Sequence, residues 1–351
     1  MPEELIATCT TKHLRILDED GSVDAGLVPE LSEEGLRRMY ELMVLTRTFD
    51  ERALALQREG RLGTYPPNRG QEAAQVGSAL ALQPADWVIP SFREMGVHIA
   101  LGYPMHRLFQ YWAGDERGLQ GPEQLNIFPI CVSVGTHIPH AVGAAMAARY
   151  RHDPVVAVAY FGDGATSKGD FHEAFNMAGL FRLPIVFICQ NNQWAISIPL
   201  KGQTATATLA QKACAYGFDG VQVDGNDPFA VYRATSSALE KARSGNGPTF
   251  IECLTYRVAD HTTADDASRY RSPDEVAAWQ KRDPILRLER YMEKQGLWNE
   301  DEGRRVREEA TAAVDEAVRV MEGEAQPEAA DMFAHTCATM SGRQTKQLGG
   351  L

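Results

Sequence analysis

The sequence is short of positive charge. Lysine and arginine together number 35 against 47 aspartates and glutamates in a chain of 351 residues, so the formal net charge is −12 at pH 7. The apolar runs are also well short of the roughly 20 residues that a membrane-spanning helix needs. A nucleic-acid binder presents a basic face to phosphates, and an anionic membrane attracts basic segments. We therefore expect neither nucleic acid nor a membrane as a partner.

Cysteines are few and form no CxxC pair, so the sequence indicates neither a zinc site nor a disulfide framework. The six are Cys9, Cys131, Cys189, Cys214, Cys253 and Cys337. Several lie in apolar runs, and we interpret them as buried free thiols of a reducing compartment. The opening residues, MPEELIATCTTKHLRILDED, lack the apolar core of a signal peptide. The expected location is the cytoplasm.

Two common phosphate-binding motifs are missing. A GxxxxGK[ST] loop is absent because Asp170 in GATSKGD stands where the lysine is required. No GxGxxG opens a first strand–helix unit, which disfavours a nicotinamide-dependent oxidoreductase. These absences remove P-loop and nicotinamide enzymes from the leading candidates.

Apolar runs alternate with helical segments along the middle of the chain. VVAVAYF (155–161) and IVFICQ (185–190) are apolar almost throughout, as expected of strands buried on both faces of a parallel sheet. FHEAFNMAGLF supplies a crossover helix between them. Ser32 is predicted to cap a long helix that ends near Gly60. The alternation predicts an α/β fold with a doubly wound parallel sheet.

The pattern divides the chain into four parts. Residues 1–30 are expected to form an extended N-terminal arm, and residues 31–272 an α/β domain that includes a polar loop at 257–272. Two long helical stretches are predicted within 273–325, and the weakly patterned tail, 326–351, is expected to be poorly ordered. A loop as long as 257–272 is usually functional or mobile, so it is a candidate part of the functional site.

Oxygen-bearing side chains follow both buried strands. Asp163 follows the first within the motif GDG, and Asn191 and Asn192 follow the second. Ligands of parallel α/β sheets bind just beyond the carboxyl ends of the strands. Carboxylate and amide oxygens suit Mg²⁺, and Gly162 and Gly164 let the backbone approach a phosphate. Either motif alone is usually a plain turn, but together they predict a metal–diphosphate site.

The spacing of the two motifs is more specific than either motif. With 26 residues between GDG and NN (165–190), the sequence resembles the thiamine diphosphate enzymes. The resemblance extends over most of the chain to the α subunit of the E1 component of 2-oxo acid dehydrogenase complexes. It is carried by MVLTRTFDERA, GQEAAQVGSAL, VDGNDPFAVY, TYRVADHTTADDASRYRS and DPILRLERYMEKQGLW. The bacterial pyruvate type is most similar and the branched-chain type next, and both imply the thiamine diphosphate-binding fold.

The resemblance implies a cofactor site at the strand ends. Asp163, Asn192 and the backbone oxygen of Trp194 would bind Mg²⁺, which neutralises the diphosphate. Gly164 and Ala165 would contact the diphosphate through their N–H groups. The implied cofactors are thiamine diphosphate and Mg²⁺, and the thiamine cofactor carries the difficult chemistry.

Further contacts to the cofactor follow from the same resemblance. Arg93 in SFRE matches an arginine on the diphosphate, whereas Phe92 replaces a tyrosine, so one phenolic hydrogen bond is missing. Val134 matches the bulky residue that holds the cofactor bent, and the backbone of Val132 and Val134 would meet its aminopyrimidine. Gln190 stands where branched-chain enzymes often have arginine, which favours the pyruvate type.

The polar loop carries the implied catalytic residue. His261 in TYRVADHTTADD matches the active-site histidine of the family, although a lone loop histidine is more often simply solvated. Arg257 and Asp265 are expected to pair and order this loop. Thr262 matches a position that is phosphorylated in mitochondrial relatives, and we interpret it as a plain loop hydroxyl. Tyr65 in GTYPPNRG is expected to line the substrate pocket.

The chain has sequence for one of the two α/β domains between which the family binds its cofactor. No glutamate is assigned to the aminopyrimidine, so the resemblance implies an E1 β subunit that supplies it within an α₂β₂ tetramer. The small-residue helices QEAAQVGSALAL and AVGAAMAARY are candidate interface elements, although such helices as often pack internally.

The implied reaction is the oxidative decarboxylation of pyruvate, with transfer of the acetyl group to the lipoyl group of E2. Branched-chain 2-oxo acids are the alternative substrates. A different class of protein, a non-catalytic α/β binding module, stays open if GDG and NN are only turns.

Overall fold

The computed structural model describes residues 3–334 and 337–350. Its strands are β1 (Lys12–Leu14), β2 (Trp87–Ile89), β3 (Ala157–Gly162), β4 (Ile185–Asn191), β5 (Trp194–Ala195), β6 (Ile198–Pro199), β7 (Asp219–Asp224) and β8 (Thr249–Leu254). Its helices are α1 (Glu33–Arg58), α2 (Glu72–Ala79), α3 (Met95–Ala100), α4 (Met105–Trp112), α5 (His137–Arg151), α6 (Gly169–Leu180), α7 (Pro228–Arg243), α8 (Pro273–Gln280), α9 (Pro284–Lys294), α10 (Glu300–Gly323), α11 (Asp331–Ala334) and α12 (Gly342–Leu348). None of these described helices is long and apolar enough to cross a membrane.

Six strands form one parallel sheet in the order β1-β7-β8-β4-β3-β2, and β5 pairs with β6 separately. β3 and β4 are neighbours, so their last residues lie side by side, with Gly162 opposite Gln190. The crossover between them is α6, as the sequence predicts. The predicted doubly wound α/β fold is confirmed.

Residues along the central strands alternate between two apolar layers. Val158 and Tyr160 of β3 belong to a layer that includes residues of α1, α2, α7 and α10. Ala159 and Phe161 belong to a second layer, which α5 and α6 cover. Because both faces of the sheet are buried, the strand is apolar at every position rather than at alternate ones.

The segment 1–30 is more than an extended arm. Lys12–Leu14 form the edge strand β1, parallel to β7, and Ile16 and Leu17 are buried. The carboxylate of Asp227 accepts hydrogen bonds from the backbone N–H groups of Ile16 and Leu17, at 2.6 and 2.8 Å. The sequence did not reveal this anchor, because the two partners lie more than 200 residues apart.

The expectation that all six cysteines are free thiols is wrong. Cys9 and Cys214 form a disulfide, with 6.0 Å between their Cα atoms. The free cysteines are Cys189 and Cys253, which are buried, Cys131, which is partly exposed, and Cys337, which is exposed. The pair escaped sequence analysis because its members are separated by 205 positions, and disulfide connectivity cannot be deduced from spacing.

A proline divides the first of the two predicted C-terminal helical stretches. α8 ends at Gln280, and α9 begins at Pro284 with Asp283 as its N-cap, accepting hydrogen bonds from the N–H groups of Ile285 and Leu286. α9 and α10 belong to the same apolar layer as α1.

In the tail, α11 and α12 are described, whereas residues 335, 336 and 351 lie outside the described residues. The poor order expected of the tail stays a prediction.

The two small-residue helices differ in their environment. Every residue of α2 is buried, so this helix packs internally and is not an interface element. α5 buries Ile138, Ala141 and Ala145 against the sheet, while Gly143 and Tyr150 on its other side are exposed. Of these two helices, α5 is the one that offers a face to a partner.

Candidate active site

The carboxyl ends of β3 and β4 border a cavity of about 250 Å³. Asp163 begins a short 3₁₀ helix directly after β3, and Asn192 follows β4. Both side chains are buried and both line the cavity. The parallel topology explains this meeting, because neighbouring parallel strands end at the same edge of the sheet.

Residues from five separate parts of the sequence meet around this cavity. The predicted site residues in its lining are Phe92, Arg93, Val134, Gly162, Asp163, Gly164, Ala165, Asn192, Trp194 and His261. They come from the segment after β2, the segment before α5, the two strand ends and the polar loop 257–272. The tertiary fold thus assembles most of the residues that the sequence singled out.

Asp163 is a buried carboxylate that suits a cation. Its Oδ2 atom accepts a hydrogen bond of 2.6 Å from Nε2 of Gln203, a neutral amide. Burial raises the pKa of Asp163 to about 6, because the charged form loses hydration. A metal ion at this carboxylate would compensate that loss directly.

The other two proposed metal ligands lie beside Asp163 in the cavity lining. The amide Oδ1 of Asn192 accepts a hydrogen bond of 3.3 Å from the backbone N–H of Trp194. The backbone oxygen of Trp194 accepts one of 3.3 Å from Arg257. Among the described residues, no cluster of three His, Cys, Asp or Glu could hold a metal. One carboxylate, one amide and one carbonyl form a hard-oxygen set that fits Mg²⁺ better than a softer metal.

The turn after β3 leaves room for an anion. A Cβ atom on Gly162 would meet nothing within 4 Å, whereas one on Gly164 would lie 3.0 Å from Cβ of Ala195. The turn is stabilised by Lys212, whose Nζ atom donates hydrogen bonds to the backbone oxygen and to the hydroxyl of Thr166, both at 2.9 Å. Nearby, Nε2 of Gln71 is buried without a partner among the described residues, so a donor is available to a bound phosphate.

Arg93 places a buried positive charge at the cavity. Its Nη1 atom donates to the backbone oxygen of Pro67 at 2.6 Å, and its Nη2 atom donates to the backbone oxygen of His261 at 3.0 Å. Burial and the nearby Arg257 lower the pKa of Arg93 to about 10, so the side chain stays charged at neutral pH. Phe92 packs against this guanidinium, with 5.3 Å from Cζ to the ring centroid.

His261 is held in its neutral form. Burial, followed by the charges of Arg93 and Arg257, lowers the pKa of His261 to about 4. Its backbone N–H donates to Oδ2 of Asp265 at 3.0 Å. The ring also meets the ring of Phe92 edge-on, at 6.2 Å between centroids. The histidine is therefore fixed by both its backbone and its ring.

The expected direct pair of Arg257 and Asp265 is wrong in detail. Arg257 donates to the hydroxyl of Tyr270 at 2.7 Å and to the backbone oxygen of Ile196 at 2.8 Å. The same hydroxyl donates to Asp265. Tyr270, which sequence analysis missed, joins the two charged residues and so orders the loop. Its only signal was its place in the segment DDASRYRS.

Besides Arg257 and Asp265, other predicted residues also lie outside the cavity lining. Val132 is 56% exposed, so its backbone is open to a partner rather than enclosed by this chain. Tyr65 is fully buried, and its hydroxyl donates to Oδ1 of Asp50 at 2.8 Å instead of facing the cavity. The hydroxyl of Thr262 accepts a bond of 3.3 Å from the N–H of Ala264, which agrees with a plain loop hydroxyl.

Glu94 is a lining residue that sequence analysis missed. It is buried, and burial raises the pKa of Glu94 to about 7. Gln190 donates to its Oε1 atom at 2.6 Å, and Gln75 donates in turn to the oxygen of Gln190 at 2.8 Å. The backbone N–H of Arg93 bonds its other oxygen at 3.0 Å. The only available signal was the position of Glu94 beside Arg93 in SFRE.

A parallel α/β sheet that gathers GDG, NN, a buried arginine and a loop histidine at one edge defines the thiamine diphosphate-binding class of domain. The family model of the dehydrogenase E1 component matches residues 40–330, and the chain belongs to this family. The family predicted from the sequence is therefore confirmed.

The chain is similar to relatives that are named for two different substrates. The 3-methyl-2-oxobutanoate dehydrogenase subunit alpha of Mycobacterium tuberculosis H37Rv is 46% identical over 314 residues, which cover 89% of this chain and 84% of the relative. The pyruvate dehydrogenase E1 component subunit alpha of Staphylococcus aureus N315 is 44% identical over 308 residues, which cover 87% and 83%. The two identities are nearly equal, so they do not separate the substrates.

Proposed function

We propose that this chain is the α subunit of an E1 component that uses thiamine diphosphate and Mg²⁺ to decarboxylate pyruvate oxidatively and to pass the acetyl group to the lipoyl group of E2. One observation carries the proposal. One cavity is lined by oxygen-bearing side chains at two strand ends, by the buried cation Arg93 and by the neutral His261. The oxygen atoms are of the kind that binds Mg²⁺.

Each residue has a defined task in this proposal. Asp163, Asn192 and the backbone oxygen of Trp194 hold Mg²⁺, and Arg93 binds the diphosphate together with the N–H groups of Gly164 and Ala165. When bound, thiamine diphosphate supplies the electron-accepting ring on which a 2-oxo acid loses CO₂.

His261 is a hydrogen-bond donor that orients ligands within the proposed site. Its Nδ1 atom lies 3.2 Å from Nη2 of Arg93, so the nitrogen available to a ligand is Nε2, which carries the proton in the neutral ring. A neutral N–H group can donate a hydrogen bond to an oxygen of the reacting acid or to a lipoyl sulfur.

A β subunit completes the proposed site. Of the two carboxylates in the lining, Asp163 is assigned to the metal and Glu94 is bonded to Gln190 and to the backbone of Arg93. Neither is free to serve the aminopyrimidine, so we assign that glutamate to the partner. The exposed Val132, together with apolar residues on α5 and α6 such as Tyr150 (86%) and Leu180 (70%), supports a partner on this side. The assembly is expected to be an α₂β₂ tetramer in the cytoplasm.

Pyruvate is the preferred substrate of the proposal, and a branched-chain 2-oxo acid is the second candidate. Gln190, where branched-chain enzymes often have arginine, is held by Gln75 and Glu94 and adds no positive charge. The alternative is supported by the mycobacterial relative, whose name includes 3-methyl-2-oxobutanoate.

Co-expression with a candidate β subunit tests the proposal. Dye reduction is measured with pyruvate and with 3-methyl-2-oxobutanoate, with and without thiamine diphosphate and Mg²⁺, and the Asp163→Ala variant is the control. Faster turnover of pyruvate supports the proposal, and faster turnover of the branched acid supports the second candidate. If neither acid reacts and the assembled protein does not bind thiamine diphosphate, GDG and NN are only turns and the chain is a binding module.

A further inference from the structure

A buried carboxylate lies behind the candidate active site, and within the described part of the chain no basic side chain pairs with it. Asp50, in the second half of α1, is 0% exposed. Its Oδ1 atom accepts hydrogen bonds of 2.8 Å from the hydroxyl of Tyr65 and from the backbone N–H of Asn68. Its Oδ2 atom accepts one of 3.1 Å from the backbone N–H of Arg69. The carboxylate thus binds three donors of one short loop, residues 65–69.

This loop contacts both functional parts of the cavity. The backbone oxygen of Pro67 accepts the 2.6 Å hydrogen bond from Nη1 of Arg93. On its other side, the backbone N–H of Tyr65 donates to the hydroxyl of Thr263 at 3.1 Å, and the N–H of Thr263 donates to the oxygen of Tyr65 at 3.0 Å. Thr263 follows His261 by two residues, so the loop supports Arg93 and the histidine loop together.

We propose that Asp50 is a positioning residue, which fixes loop 65–69 and thereby orients Arg93 and the loop of His261 for the diphosphate and the substrate. The inference rests on the proposed function and adds to it a residue that touches neither cofactor nor substrate. Burial raises the pKa of Asp50 to about 7, because an isolated buried charge is unfavourable. Above that pH the carboxylate is charged, and hydrogen bonds to it are stronger than those between neutral groups. The negative charge also acts on Arg93 directly, because it raises the pKa of Arg93 against the effect of burial.

The same three contacts explain why the position needs an acceptor. All three partners of Asp50 are donors, and a carboxylate offers only acceptors. An asparagine keeps the size of the side chain but turns one of its two oxygens into a donor, which then faces an N–H or O–H group. Asp50→Asn should therefore release part of the loop without creating a cavity.

Hydrogen exchange and cofactor binding test the proposal together. In the assembled protein, Asp50→Asn is expected to raise the dissociation constant of thiamine diphosphate by about tenfold at saturating Mg²⁺, as a lost buried hydrogen bond predicts. Without cofactor, the amides of Asn68 and Arg69 should exchange faster. Tyr65→Phe removes one of the three hydrogen bonds and leaves the carboxylate. It should therefore raise the dissociation constant and the exchange rates as well, but by less.

Asp86→Asn is the matched control. Asp86 is also buried and accepts hydrogen bonds of 2.9 Å from the N–H groups of Gln83 and Val156, but it pairs with Arg243 on the far side of the sheet domain. This variant should lose stability and keep its affinity for thiamine diphosphate. If binding is weaker in Asp50→Asn but not in Asp86→Asn, a general loss of stability does not explain the difference.

The outcomes separate the two proposals. Unchanged affinity and unchanged exchange in an assembled Asp50→Asn protein overturn the positioning role and leave the proposed function intact. Absence of thiamine diphosphate binding in the wild-type assembly overturns the proposed function, and exchange at Asn68 and Arg69 then decides whether Asp50 fixes the loop. If Asp50→Asn does not fold, Tyr65→Phe decides the question, and unchanged binding and exchange in that variant contradict the inference.

Discussion

Nδ1 of His261 lies 3.2 Å from Nη2 of Arg93 and 3.4 Å from Nη1 of Arg257. A guanidinium only donates hydrogen bonds, so Nδ1 must be the acceptor and the neutral ring carries its proton on Nε2. The tautomer is therefore set by two arginines from distant parts of the chain. It leaves an N–H donor for whatever occupies the cavity.

This relationship predicts an unusual titration. Burial and the two cations lower the pKa of His261 to about 4 from its ordinary 6.5. Between these values the unfolded chain binds a proton that the native chain does not, so acidification from pH 6.5 to pH 4 lowers the free energy of unfolding. We expect the ring protons of His261 to shift near pH 4 in an NMR titration of the protein without cofactor. The resonance is assigned with His261→Gln, and a shift near pH 6.5 would contradict the arrangement.

A substitution at Asp163 should affect the stability of the protein and its affinity for thiamine diphosphate in different ways. Asp163→Asn removes a buried charge whose ionisation is unfavourable, so the melting temperature without cofactor should stay the same or rise. The same change removes the only carboxylate among the proposed metal ligands, and Mg²⁺-dependent affinity for thiamine diphosphate should fall by at least about 100-fold, or ~2.7 kcal/mol. Calorimetry of both quantities is the measurement. Asp170→Asn, in the first turn of α6, is the control and should keep the affinity.

The two glycines of GDG should respond differently to a methyl group. Gly162 has φ −89° and ψ 170°, which any residue adopts, and its Cβ would meet nothing within 4 Å. Gly162→Ala should therefore keep its melting temperature and weaken thiamine diphosphate binding, because the methyl group occupies space beside the cavity. Gly164→Ala brings Cβ to 3.0 Å from Ala195, so both properties should decrease. Equal melting temperatures for the two variants would contradict this difference.

The disulfide connects the N-terminal segment to the 3₁₀ helix Ala210–Tyr216, which contains Lys212. Peptide mapping of unreduced, alkylated protein should recover Cys9 linked to Cys214. Reduction, or Cys214→Ser, should lower the free energy of unfolding by roughly 2–4 kcal/mol, the usual effect of a native disulfide. Cys337→Ser removes an exposed free thiol and should change neither result. Recovery of both cysteines in alkylated form would show that the pair is not oxidised.

Local chemistry explains how much of the fold the sequence predicted. The apolar runs of β3 and β4, the cap at Ser32 and the helix of α6 depend on neighbouring residues, and these elements are where the sequence placed them. The edge strand β1 and the division at Pro284 were missed. The first depends on Asp227, far away in sequence, and the second was masked by a helical pattern that continues across the proline.

The candidate site shows the same division. GDG and NN are short motifs whose oxygen atoms follow directly from residue type, and their spacing matches one crossover helix. Glu94 and Tyr270 were missed because their roles come from Gln190, Arg257 and other residues that only the fold brings near. Tyr65 was misplaced for the same reason, since Asp50 turns its hydroxyl away from the cavity.

The sequence by itself determined the central strands β3 and β4, their oxygen-bearing ends and the dehydrogenase E1 family, because these depend on residue type and short spacing. Only the tertiary structure decided the protonation of His261, the disulfide of Cys9 and Cys214, and the support of Arg93 by Asp50 through loop 65–69. Burial and charge at one residue depend on neighbours that lie far away along the chain, and folding alone brings them into contact.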